Sequence, residues 1–129
     1  MSKLCQGRIV WTVVADRNGV CKKHPVVILT RTDEIVSSDE LIGVVASHTA
    51  YLQQPRPHTY VELPHQPDGR VGTLLKKGTV AVCTWLAPVK KSDLTAECIG
   101  GLVSPITLEP VVQKVREVFG AKQPIYLDD

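Results

Sequence analysis

Pro25-Val26-Val27-Ile28-Leu29-Thr30-Arg31 is an apolar run of strand length, rich in β-branched residues and opened by a proline. So short a run between turn residues reads as a strand, because branching at Cβ suits a pleated surface and helices run longer. Proline has no N–H to give to a ladder and fits the first position, so the expected strand is Val26–Arg31. The pattern repeats on either side. Upstream, Arg8–Val14 (RIVWTVV) runs into Ala15–Gly19, where Asp16-Arg17-Asn18-Gly19 is strong turn chemistry. Downstream, the polar stretch 32–40 leads to Leu41–Ser47 (LIGVVAS). Tyr51–Pro57 holds two prolines and reads as a loop, Thr59–Leu63 as a half-exposed strand, and 64–72 (PHQPDGRVG) as irregular. Thr79–Leu86 and Ala96–Leu102 complete six expected strands.

Only the end of the chain changes period. Leu108, Val111, Val112, Val115, Val118 and Phe119 fall on one side of a helix, with Gln113, Lys114, Arg116 and Glu117 on the other. Thr107 is the expected cap, since a start at Ser104-Pro105 would bury Pro110 deep enough to delete an internal hydrogen bond. Gly120 supplies the stop, and residues 121–129 are expected to form a loosely held tail. Six short strands closed by one helix predict a mainly β fold: a small SH3-like antiparallel barrel with a C-terminal α-helix, one domain over residues 1–129 with its core at about 7–119.

Composition narrows the functional classes. The chain of 129 residues is 43% hydrophobic and 22% charged, an ordinary globular balance that needs no disulfide or metal staple. Cys5, Cys21, Cys83 and Cys98 form no CxxC pair, against a zinc knuckle or redox dithiol, and are read as reduced thiols, Cys21 being the loop thiol open to reaction. The N-terminus MSKLCQGR has no apolar run of signal-peptide length and no stretch is long enough to span a bilayer, so the expected location is the cytoplasm. The net charge of +2 is evenly spread, 7 of 15 basic and 6 of 13 acidic residues lying in 1–64. Broad phosphate-neutralising contact with nucleic acid is therefore excluded, and with only 5% aromatic residues so is a wide stacking platform. Any nucleic-acid contact must be short and focused.

Several segments also resemble, in order, the PemK/MazF family of toxin endoribonucleases from toxin–antitoxin systems. Gly7-Arg8-Ile9-Val10-Trp11 is similar to the family's opening G-D-I-V-W, and His24-Pro25-Val26-Val27-Ile28-Leu29 resembles R-P-A-L-V-L. Ser47-His48-Thr49 occupies the place of P-[IL]-[ST], and Val80-Ala81-Val82-Cys83-Thr84-Trp85 that of V-x-L-C-D-Q. Ile99-Gly100-Gly101-Leu102-Val103-Ser104-Pro105 resembles I-G-R-L-S-P-E, followed by a helix. The resemblance runs from about Gly7 to Phe119.

The resemblance implies cleavage of single-stranded RNA, without metal or other cofactor, by attack of the ribose 2′-OH on the adjacent phosphate. It also implies a homodimer and an antitoxin protein as partner. Its catalytic positions fall on His24, where the family has Arg, and on Thr49. An Arg is a fixed cation with a fork of donors, whereas His can act as acid or base. Lys22, Lys23, His48, Lys76 and Lys77 are the expected RNA-binding residues, and Lys90-Lys91 forms a further basic pair. His48 and His58 are further imidazoles that could pair with His24. Two departures keep an alternative open: His24 replaces Arg, and Thr84-Trp85-Leu86-Ala87 lacks the charged groups of the Asp-Gln-x-Arg stretch found in some relatives. The alternative is a catalytically degenerate toxin-like module that binds a protein, as the CcdB toxins of the same barrel bind gyrase. A small SH3-like domain unconnected with toxins is a third reading. Plainer roles stand beside each residue: Thr49 as a turn cap, the lysine pairs as solvated surface, Trp11 and Trp85 as core or dimer interface.

Overall fold

A computed structural model describes residues 4–129; residues 1–3, part of the N-terminal stretch read for a signal peptide, lie outside the described residues. Six strands form one antiparallel sheet: β1 (Arg8–Ala15), β2 (Cys21–Ile28), β3 (Glu40–Ser47), β4 (Tyr60–Leu63), β5 (Thr79–Lys90) and β6 (Ile99–Leu102). Their order is β4-β5-β3-β2-β1-β6, so β4 and β6 are edges. The sheet is bent, but its ladder is not closed into a complete barrel. Short helices α1 (Thr32–Ile35) and α2 (His48–Tyr51) flank β3, and the long α3 (Pro105–Phe119) ends the regular structure. No helix among the described residues is long and apolar enough to cross a membrane.

Several boundaries differ from the sequence reading, each for a pairing reason. The second strand begins at Cys21 and ends at Ile28, instead of spanning 26–31, because the hairpin with β1 supplies backbone partners from Ala15↔Cys21 to Ile9↔Val27. Pro25 therefore lies inside the strand, opposite Trp11. It is tolerated because β3 pairs with β2 only from Val26 onward, leaving Pro25 with one neighbouring strand. Strand β5 runs four residues past Leu86, its Ala87–Lys90 end pairing with Glu40–Gly43 of β3. Between Val44↔Leu86 and Ala46↔Ala81, two steps of β3 oppose five of β5. The extra residues bend β5 sharply, as bulges do, and let one strand serve two parts of the sheet. The last strand is shorter than expected, Ala96–Cys98 forming a 3₁₀ turn before it.

The helix α3 begins at Pro105, not after Thr107. Ser104 occupies the cap position, and its carbonyl accepts from the N–H groups of Thr107 and Leu108. Pro110 does sit inside the helix. The carbonyl that loses its donor is that of Ile106, a residue 87% exposed, where water can replace the missing N–H.

Both faces of the central strands are buried, which explains why their sequences do not alternate with polar residues. Ile9, Val27 and Val44 join one cluster, closed by Leu108, Val111, Val112 and Val115 of α3. Their neighbours Val10, Val26, Ile28 and Val45 join a second cluster inside the bent sheet, with Ile35 of α1 and Val89 of β5. Each such side chain contributes about 1.5–3 kcal/mol when taken out of water. The terminal residues, read as a loose tail, return to the body: Ile125 is buried in the first cluster. Gln6 donates to the carbonyls of Leu29 (2.9 Å) and Tyr126 (2.7 Å) and accepts from Asp128 N (2.8 Å).

Candidate active-site cavity

Where β3 ends and its neighbours run on, a cavity of about 500 Å³ opens at the surface. Trp11 of β1, Lys23, His24 and Pro25 of β2, and Ser47 of β3 form part of its wall. His48 and Thr49 enter from the first turn of α2, and Leu74, Leu75, Lys76, Lys77 and Thr79 from the β4–β5 loop and the start of β5. Three lysines and two histidines line it, with no carboxylate among the lining residues. Such a wall attracts anions, and the open mouth admits an extended chain.

Of the residues singled out in the sequence, Lys23, His24, His48, Thr49, Lys76 and Lys77 meet here. Lys22 does not: it lies next along β2, opposite Val14 and exposed. His58 is exposed in the loop before β4 and outside the cavity. Lys91 is occupied elsewhere, its ammonium donating to the carbonyls of Ile35 (2.6 Å) and Val36 (3.3 Å) beside α1.

Local structure fixes each group. Ser47 caps α2, its hydroxyl accepting from Ala50 N at 3.1 Å. The capping role weighed for Thr49 thus belongs to Ser47, and Thr49 is exposed in the first turn. Nδ1 of His48 lies 2.6 Å from the carbonyl oxygen of Gly78. The His48 ring stacks on Tyr51 with centroids 6.2 Å apart and planes 14° apart. Glycine is required at 78 because a methyl there would overlap the Tyr51 ring. His24 is half-buried, its ring meeting the Trp85 indole edge-on at 5.2 Å.

The loop that carries Lys76 and Lys77 is pinned at both sides. Thr73 donates its hydroxyl to the Pro64 carbonyl, and Leu75 is buried in the first cluster. Between these anchors Leu74 takes a left-handed backbone at φ 59°, which turns its side chain outward at the cavity rim, 59% exposed. A non-glycine residue there stores about 1–3 kcal/mol of strain. Nothing in the local sequence signals that conformation. The part Trp11 plays in the wall was also missed, although pairing of Trp11 with Pro25 follows from the hairpin register.

The thiols divide by environment, and none is paired. Burial pushes Cys83 up to about 12, so it stays a thiol. The hydrogen bond shared with Thr95 lowers the Cys98 thiol, while Cys21 is exposed at the start of β2.

No family model and no curated protein sequence matches this chain. Solved structures do. An endoribonuclease in complex with its cognate antitoxin from a Mycobacterial species shares 14% identity over 94% of this chain and 99% of that one, with a TM-score of 0.59. MazE–MazF from Deinococcus radiodurans gives 16% identity, 91% and 95% coverage and a TM-score of 0.62. Mycobacterium tuberculosis toxin MazF-mt6 gives 16%, 85% and 95%, and 0.60. At such identities the likeness speaks for architecture, and it extends over nearly the whole length of both chains: the protein has the fold of the MazF-like endoribonuclease toxins.

Proposed function

We propose that this protein is a toxin-like endoribonuclease of the cytoplasm that cleaves single-stranded RNA without a metal ion, by attack of a ribose 2′-OH on the adjacent phosphate. The observation that carries the reading is the cavity itself: Lys23, Lys76, Lys77, His24, His48 and Thr49 around one opening with no carboxylate among them, in a MazF-like fold. The reaction needs a proton acceptor for the 2′-OH, a proton donor for the departing 5′-oxygen, and donors for charge on the phosphoryl oxygens. His24 supplies acid–base chemistry, Thr49 a hydroxyl donor, and the lysines, with Lys22 beside them on β2, the phosphate-binding charge. We further propose a homodimer and an acidic antitoxin segment as partner, since the lysines suit carboxylates as well as phosphates.

The test is incubation of the purified protein with a long single-stranded RNA in EDTA, followed by mapping of the ends. The reading expects cleavage at short preferred sequences, leaving 2′,3′-cyclic phosphate and 5′-hydroxyl termini. The absence of cleavage by the wild type and by His24→Arg would overturn it. A protein-binding, non-catalytic role is the second reading. It is favoured by Leu86 packing against the first cluster and Trp85 against His24, in the stretch where some relatives carry charged groups.

A further inference from the structure

We infer that His48 is the general base of this site, with its proton-accepting nitrogen selected by the carbonyl of Gly78; the inference rests on the nuclease reading above. A carbonyl oxygen can only accept, so the 2.6 Å contact requires the proton of a neutral imidazole to sit on Nδ1. Nε2 then keeps its lone pair. The side chain is a cavity-lining residue with one basic nitrogen and a fixed ring plane. Its backbone is set by the Ser47 cap and its ring by the stack on Tyr51. Tyr51 is held in turn by His65, edge-on at 5.6 Å, and by the Arg56 guanidinium, which lies over the ring 4.6 Å from its centroid. Gly78 serves twice, because the missing side chain admits the Tyr51 ring and its carbonyl meets His48.

This arrangement orients an imidazole through a backbone carbonyl, as a base must be oriented to work in one tautomer. With a phosphate among Lys23, Lys76 and Lys77, Nε2 of His48 takes the proton of the 2′-OH and O2′ bonds to phosphorus. The bond from phosphorus to the 5′-oxygen breaks, and that oxygen takes its proton from His24 as an imidazolium on β2. One proton is gained by His48 and one lost by His24, so the products are a 2′,3′-cyclic phosphate and a 5′-hydroxyl. The titratable and charged groups that line the cavity with His48 are the three lysines and His24; Tyr51 stacks on its ring, and His65 and Arg56 pack on Tyr51.

The discriminating variant is His48→Asn, whose amide nitrogen can replace Nδ1 as donor to Gly78 but offers no base. On a defined single-stranded RNA oligonucleotide we expect kcat to fall roughly 10²–10⁴-fold. KM and the urea unfolding midpoint should be nearly unchanged, and free imidazole should restore part of the rate of His48→Ala. Nitrogen-15 NMR of the wild type should show the neutral His48 ring protonated at Nδ1. Wild-type rates in His48→Asn, or a proton found on Nε2, would overturn the assignment while leaving the nuclease reading intact. Absence of cleavage by the wild type and by His24→Arg overturns both together.

Discussion

Cys83 is a thiol whose burial resists its ionisation. Burial raises it from 9.0 to about 12, so the folded chain holds this proton through a range in which the unfolded chain releases it. The stabilising contribution is complete below about pH 9 and is lost as pH climbs toward 12, at up to roughly 1.4 kcal/mol per pH unit. Urea unfolding of wild type and Cys83→Ala at a series of alkaline pH values should therefore show a steeper loss in the wild type. Parallel slopes would remove the thiol as the cause. Thr49→Ala and His24→Ala should each lower cleavage by roughly 10²-fold or more with little change in thermal midpoint, since exposed and half-buried positions outside the core are being altered. His24→Arg, by restoring a fixed cation, gains activity if the site is a weakened version of its relatives and loses it if His24 is the working acid. Lys23, His24 and Thr49 were singled out through the family resemblance, and the structure brings all three to one cavity. The Gly78 carbonyl and the outward Leu74 were not legible in the sequence, because a backbone group and a left-handed turn leave no mark in side-chain chemistry.

At the scale of elements, α3 holds the clearest conflict between local rule and final structure. Sequence logic rejected Ser104 as the cap because Pro110 would then interrupt the hydrogen-bond ladder, and the helix starts there nonetheless. Anchoring Leu108, Val111, Val112 and Val115 in the first cluster outweighs one lost bond on a residue facing water. Pro110→Ala should consequently raise stability by about 1–3 kcal/mol, read from the urea midpoint, with the fold unchanged by circular dichroism. A lower midpoint would mean that the proline ring packs better than the helix bonds. Strand β5 teaches a similar lesson. Its apolar core Thr79–Leu86 was readable, but its extension through Pro88 depends on pairing with Glu40–Gly43, residues distant in sequence. The tail was misjudged for the same reason, since Ile125 and Leu127 give only a brief apolar signal and the hydrogen-bond partners of Tyr126 and Asp128 lie at Gln6 and Thr32.

For the whole molecule, the proposed homodimer predicts a mass near twice 14.1 kDa by light scattering at micromolar concentration. A strict monomer would remove that part of the reading and leave the cavity as a site complete within one chain. The bonds from Gln6 to Tyr126 and Asp128 carry a separate consequence, which concerns the unfolded chain. Positions 120 or more residues apart are already neighbours in the folded state, so a short Gly-Ser bridge from Asp129 to a chain beginning at Leu4 would disturb little of it. The same bridge would deny the denatured chain most of its freedom to separate its ends, an entropic gain of up to roughly 5 kcal/mol for a loop of this length. A backbone-cyclised form should therefore unfold at higher urea than the linear chain, and equal midpoints would show that the denatured ensemble keeps its ends together without help.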